Sequence, residues 1–358
     1  MKNDIMMKCA TPMKLSREPL LVNQATIYKI YFINLIILAS CLSSFGQSIT
    51  VVCNGPKTNL RGLCVVSDKI VWVSGSAGKV GISSDSGSHF KWIDVKGYEK
   101  TDFRDIEAFD ENTAIIMGID SPGVILKTKN AGASWAVVYI NKERGIFLDA
   151  MDFKGKHGVV IGDPIDGQFV LATTKNKGDS WQQQTWSKPL KASYGEAAFA
   201  SSGTNIRLLN NKQYIFVSGG LASLAYIKGA AFATPIIQGT TSTGANSVAC
   251  GAANQYMIVG GDFNAKNDST KNCFITNDGG ISWQPPNKAP MGYRSCVEYL
   301  GLRSWLTCGL NGVDISSDNG YTFTNISTLS FNTCKQAKKG NAIYLVGSNG
   351  RVGKIISN

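Results

Sequence analysis

The chain has 358 residues, with 36 Lys and Arg against 25 Asp and Glu, a formal net charge of +11 at pH 7. Only two histidines and no CxxC spacing among nine cysteines argue against a His-based triad and against the common zinc and thioredoxin-like frameworks. The basic balance favours acidic surfaces, membrane headgroups or anionic glycans among them, and no nucleic-acid motif accompanies it.

The N-terminus reads as a targeting segment. Lys14, Arg17 and Lys29 precede an apolar run from Ile30 to Leu42 that is too short to span a bilayer comfortably. Ser44-Phe45-Gly46 before Gln47 suits ordinary signal peptidase, which makes residues 1–46 a signal peptide. Leu38-Ala39-Ser40-Cys41 is the alternative, a lipobox that would leave Cys41 lipidated. Residues 1–46 carry five basic and two acidic side chains, so 31 and 23 remain, a net of +8. The expected product is periplasmic or secreted from a bacterial cell, monomeric, and without a transmembrane span after signal removal.

Residues 47–358 read as strand throughout. Apolar strands ending in Gly recur seven times, at Gly75, Gly118, Gly162, Gly219, Gly260, Gly309 and Gly347. Between them lie five versions of one phrase: SSDSGSHFKW from Ser83, TKNAGASW from Thr128, TKNKGDSW from Thr174, TNDGGISW from Thr276 and SSDNGYTF from Ser316. Asp85, Asn130, Asn176, Asp278 and Asp318 each offer a side-chain oxygen to amides further along the turn, and the following Gly supplies positive φ. These residues are structural staples. Their spacings of 45, 46, 102 and 40 leave room for one decayed hairpin, placed at Ser218 to Phe232.

Repetition on this scale predicts an all-β, seven-bladed propeller of four-stranded antiparallel blades. The last blade, Phe331 to Ile356, offers three strands, and Ser48 to Val52 is expected to close it. Cys296 and Cys308 lie on one expected hairpin and are the best candidates for a disulfide.

The starts of the first strands gather at one mouth of the channel. They align as Leu60-Arg61-Gly62, Phe103-Arg104-Asp105, Phe147-Leu148-Asp149, Tyr194-Gly195-Glu196, Tyr293-Arg294-Ser295 and Phe331-Asn332-Thr333; the fifth blade, near Asn246-Ser247, aligns poorly. Loops after the second strands add Asp120, Asp163, Asp166 and Asp262. Charges converging from separate blades form either a ligand-holding pocket or a ring of inter-blade salt bridges. The candidate ligand- or partner-binding set is Arg61, Arg104, Asp105, Asp149, Asp163, Glu196, Asp262, Tyr293 and Arg294. No metal site and no cofactor is expected.

The phrase S/T-x-D-x-G-x-x-W is the Asp-box (BNR repeat) of sialidases and other propellers. Over residues 58–357 the chain resembles the photosystem II stability/assembly factor family, in particular its exported bacterial relatives outside photosynthesis. The resemblance rests on Phe103 to Ile106, Phe147 to Met151, His157-Gly158, Gly162 to Pro164, Gly260 to Asp262, Gly292 to Ser295 and the hairpins. It implies a seven-bladed propeller acting as an assembly or scaffold module; export and the basic charge make an exported or envelope protein, or an acidic glycan, the expected partner, and no catalytic signature points to an enzyme. A sialidase-like glycoside hydrolase is the alternative, with Arg61, Arg104 and Arg294 clamping a carboxylate and Tyr293 or Tyr194 beside Glu196. An oxidoreductase ranks below it: the Gly-rich run from Gly347 to Gly353 has no room for the helix a dinucleotide site needs.

Overall fold

The computed structural model describes residues 47–119, 121–184 and 190–357, so the targeting segment, Cys41 and Asp120 lie outside the described residues. Among the described residues the protein is all-β, and residues 47–358 make one compact unit. It is a seven-bladed propeller.

Six blades run outward in chain order from a first, innermost strand. Those first strands are Leu60–Val65, Phe103–Ala108, Leu148–Lys154, Ile206–Leu208, Thr243–Cys250 and Cys296–Gly301. The seventh blade runs from Thr333–Gln336 through Ile343–Val346 to Arg351–Ser357. Its outer strand is Gln47–Asn54, paired antiparallel from Gln47 opposite Ser357 to Asn54 opposite Arg351. The first strand of the fold therefore joins the last and removes an open edge. The Gly-rich run after Gly347 opens the strand Arg351–Ser357 and no helix.

Seven buried apolar clusters lie between neighbouring blades, one at each interface. The seam between the seventh and first blades is as apolar as the others, with Leu60, Val73, Tyr344 and Val352 all fully buried.

The repeated turns are built as their residues dictate. In the fifth blade Thr276 Oγ1 donates to Asp278 and accepts the Gly280 amide at 2.9 Å, while the Ser282 amide donates to Asp278 Oδ1 at 3.0 Å. Asp85, Asn130, Asn176 and Asp318 accept the corresponding amides of His89, Ser134, Ser180 and Thr322. The turn glycine also touches the preceding blade. Gly280 has φ +96°, and a Cβ there would fall 2.1 Å from Ile227 Cδ1. The staples thus lock each hairpin and seat it on its neighbour. The decayed hairpin lies where it was expected: Leu224–Ile227 pairs with Ala230–Ala233 around Lys228-Gly229, both at positive φ.

Two features depart from the sequence reading. The fifth blade's fourth strand is reduced to a bridge between Ile275 and Gln284. The fourth blade does not begin at Tyr194-Gly195-Glu196. Glu196–Ala197 pairs instead with Gly219–Gly220, and the first strand starts ten residues later at Ile206.

Candidate functional site

The residues displaced by that shift become a plug. Phe199 to Thr204 leaves the fourth blade and bonds to the first strands across the channel. Arg61 Nη1 of the first blade donates to Ser201 O at 2.7 Å, and Arg104 Nη1 of the second to Ala200 O at 3.4 Å. Ser201 Oγ donates to Asn246 Oδ1 of the fifth blade, Ser202 Oγ to Ser295 O at the head of the sixth, and Thr333 Oγ1 of the seventh to Ser202 O.

Above the plug, one structural position supplies most of the lining. The pairing of first and second strands skips Arg61, Arg104, Asp149 and Asn246, each in a bulge. A bulge re-aims its side chain, here toward the axis. Ser295 and Asn332 hold the same place at the heads of the sixth and seventh blades, just before Cys296 opposite Cys308 and Thr333 opposite Val346. Arg61, Arg104, Asn246, Ser295 and Asn332 line a cleft of about 370 Å³ floored by Ala198 to Ser201 and walled by Phe147, Phe199, Phe263, Tyr293 and Leu310.

The bulges explain where the candidate residues fall. Arg61 and Arg104 face the cleft. Arg104 Nε donates to Asp102 at 2.9 Å, and its guanidinium lies 5.9 Å from the Phe147 ring centre. Arg61 Nε is buried without a partner. Burial, then the Arg104 charge beside it, lowers the pKa of the Arg61 guanidinium. Tyr293 walls the cleft, but its hydroxyl donates to Asn246 at 2.8 Å and burial pushes its pKa to about 12.

Arg294 is one residue out of register with Arg61 and Arg104. It takes the place of Phe103 and points into the blade, fully buried, bonding through Nε and Nη2 to Asp314 and through Nη1 to Asn311. A one-residue slip on a strand exchanges faces. Asp105 is likewise one place past the bulge. It lies beneath the plug, accepting the Ile106 and Met151 amides, and burial raises its pKa to about 7.

Asp149 does occupy the bulge position but is covered by the plug. Burial, with the nearby Asp163, raises its pKa well above the usual carboxylate range, while the backbone amides of Asp163 and Ala200 act in the opposite direction. Asp163 accepts the Ala198 amide at 2.8 Å and is raised by burial to about 6. Glu196 is enclosed by the Ser193 amide and the Ser218 and Tyr226 hydroxyls, whereas Tyr194 is 92 % exposed. Asp262 caps its own loop through the Asn264 amide. Of the nine candidates, the cleft therefore gathers Arg61, Arg104 and Tyr293.

Sequence reading placed Asn246 at the mouth only by a poor alignment and left it out of the candidate set, and it missed the plug and the aromatic walls Phe199 and Phe263. It also missed the opposite mouth, where Glu107, Asp152, Arg207, Glu298 and Lys335 converge from the far ends of the first strands on a cleft of about 270 Å³. There the charges meet one another: Arg207 reaches Asp152 at 3.6 Å and Glu298 at 3.4 Å, and Lys338 pairs with Glu107. Inter-blade salt bridges do occur, on the other side from the one expected, as one group joining the third, fourth and sixth blades and a separate pair joining the seventh and second.

Cysteines 296 and 308 lie opposite each other in register as expected, yet all seven described cysteines are free thiols. No described helix is long and apolar enough to cross a membrane.

Fold and cleft together define a plugged seven-bladed propeller with a basic, aromatic-walled mouth. No protein-family model and no curated protein matches the chain. Solved structures share its fold. YCF48 bound to D1 peptide superposes with a TM-score of 0.62 at 12% identity, covering 88% of this chain and 99% of that one. YCF48 from Cyanidioschyzon merolae gives 0.60 at 16%, covering 86% and 98%. The WD40 propeller domain of Doa1 gives 0.59 at 13%, covering 87% and 97%. At these identities the likeness is one of fold.

Proposed function

We propose that this is an exported Asp-box propeller that binds another exported or envelope protein, holding a carboxylate-bearing segment against Arg61 and Arg104. One observation carries the reading. Two guanidiniums from adjacent blades face one cleft, and Arg61 Nε is buried there without a partner. Guanidinium donors suit a carboxylate, which can take two parallel bonds. The walls Phe147, Phe199, Phe263 and Tyr293 suit the apolar part of a peptide. A propeller of this fold, YCF48, has been solved with a D1 peptide bound, which makes a peptide ligand a reasonable occupant for the fold.

The glycosidase alternative finds less support. Glu196 and Tyr194 do not line the cleft, and a Tyr293 hydroxyl with its pKa at about 12 is a poor nucleophile. Residues 1–46 are proposed as the export signal, with Cys41 lipidation as the alternative. N-terminal sequencing of the mature protein distinguishes Gln47 from a blocked Cys41, and size-exclusion chromatography tests the monomer.

A photo-crosslinking amino acid at Phe263, on the cleft wall, tests the binding role in intact cells. A discrete protein adduct that disappears in Arg61→Gln/Arg104→Gln is expected. Adducts indifferent to both arginines would overturn the reading.

A further inference from the structure

Away from both mouths, three cysteines meet in the core between the sixth and seventh blades. Cys296 and Cys308 face each other across the first and second strands of the sixth blade, and Cys334 comes from the first strand of the seventh. All three are fully buried, and their sulfurs lie within 4.8 Å of one another. Cys334 Sγ is 3.7 Å from Cys296 Sγ. We propose that Cys296, Cys308 and Cys334 form a metal site that takes one monovalent copper ion in three-coordinate sulfur geometry.

The chemistry follows from the donor set. Thiolate sulfur selects soft ions such as Cu(I) and zinc. Structural zinc is almost always four-coordinate, and no His, carboxylate or fourth Cys joins this group among the described residues. The walls are apolar, with Leu306, Val313, Phe331 and Leu345 in the same cluster, so water is not at hand as a fourth ligand. A planar three-coordinate ion about 2.3 Å from each sulfur sets the sulfurs about 4 Å apart, which matches the observed spacing.

Two hydrogen-bond donors face the sulfur of Cys296. Its Sγ accepts the Cys334 amide at 3.4 Å and lies 3.6 Å from the Thr204 hydroxyl, which caps the plug. Arg207, Lys335 and Arg294 supply positive charge around the group, Arg294 on the Cys308 side. On binding, each sulfur that becomes a thiolate releases its proton to solvent, and those cations offset the charge left behind. The nearest cleft is the one at the opposite mouth, lined by Lys335, next to Cys334, and by Glu298 and Gln336, two residues from Cys296 and Cys334. The group escapes motif reading because its members come from three strands of two blades.

The purified, reduced chain is titrated anaerobically with Cu(I) in competition with bathocuproine disulfonate. One retained equivalent is expected, with a thiolate-to-copper absorption band, a raised melting temperature and three sulfur scatterers by X-ray absorption. Cys308→Ser should lose it and Cys250→Ser should keep it. If Cys308→Ser fails to fold, the sulfur count and the melting shift of the unaltered chain decide. Failure to retain copper, retention unchanged in Cys308→Ser, preference for zinc, nitrogen or oxygen ligands, or formation of a Cys296–Cys308 disulfide in place of copper binding would each overturn the proposal.

Discussion

Gly203 of the plug sits directly on the carboxyl group of Asp105, so that a Cβ at residue 203 would lie 2.4 Å from Asp105 Cγ. This contact joins the fourth blade to the second through the middle of the ring. Gly203 also has φ +65°. Gly203→Ala should therefore cost both backbone strain and displacement of a buried group, on the order of 2–4 kcal/mol. Gly97→Ala is the control, because Gly97 shares the positive φ with open space around it, and should cost about 1 kcal/mol. Urea unfolding of the two variants separates the terms.

The carboxyl groups beneath the plug give stability a definite pH dependence. Asp163 and Asp105 are raised to about 6 and about 7. Between the unfolded value near 4 and those values the folded state holds more protons than the unfolded state. Their contribution is then complete below about pH 4 and declines as pH rises toward 7. Asp163→Asn keeps an oxygen for the Ala198 amide and should flatten the lower part of this decline, by on the order of 1–2 kcal/mol. Melting curves between about pH 4.5 and 7 test it; a slope unchanged in Asp163→Asn would remove Asp163 as its source.

Arg294 and Asp314 form a buried ion pair, and losing one partner leaves the other charged and enclosed. Asp314→Ala should cost about 3–5 kcal/mol, whereas Arg294→Met with Asp314→Leu should recover most of it. Denaturant titration checks both. Arg294 stands outside the cleft, so the double variant should bind cleft ligands as the parent does.

How much of this was legible depended on the range over which each feature is encoded. The repeated turns and the seven Gly-ended strands are local patterns, so ring and blade number could be read from them, and the closing strand from a last blade that offers only three. The register at the mouth could not. Bulges at Arg61, Arg104, Asp149 and Asn246 break the period-two rule at the very residues of interest, and Arg294 resembles Arg104 in sequence while facing the opposite way. Ala197, Ala198 and Ala200 carry no alternation, so the plug looked like the start of a strand. The free cysteine group depends on packing between two blades, which spacing does not record.

The turns themselves can be tested by exchange. Asp278→Ala removes the acceptor for the Ser282 amide and should lower the melting temperature. Asn130→Asp retains that acceptor and should lie within about 0.5 kcal/mol of the parent. Gly280→Ala should exceed both, because its Cβ would strike Ile227 on the preceding blade. Thermal melts of the three variants give the order directly.

The cleft's role is tested most directly by peptide binding. Fluorescence anisotropy compares apolar peptides ending in a free carboxylate with the same peptides amidated, on the parent chain and on Arg61→Gln/Arg104→Gln. A salt-sensitive preference for the free carboxylate, reduced at least about tenfold in the double variant, roughly 1.4 kcal/mol, is expected. Equal binding of both peptides, or binding unchanged without the two arginines, would contradict a carboxylate-holding mouth.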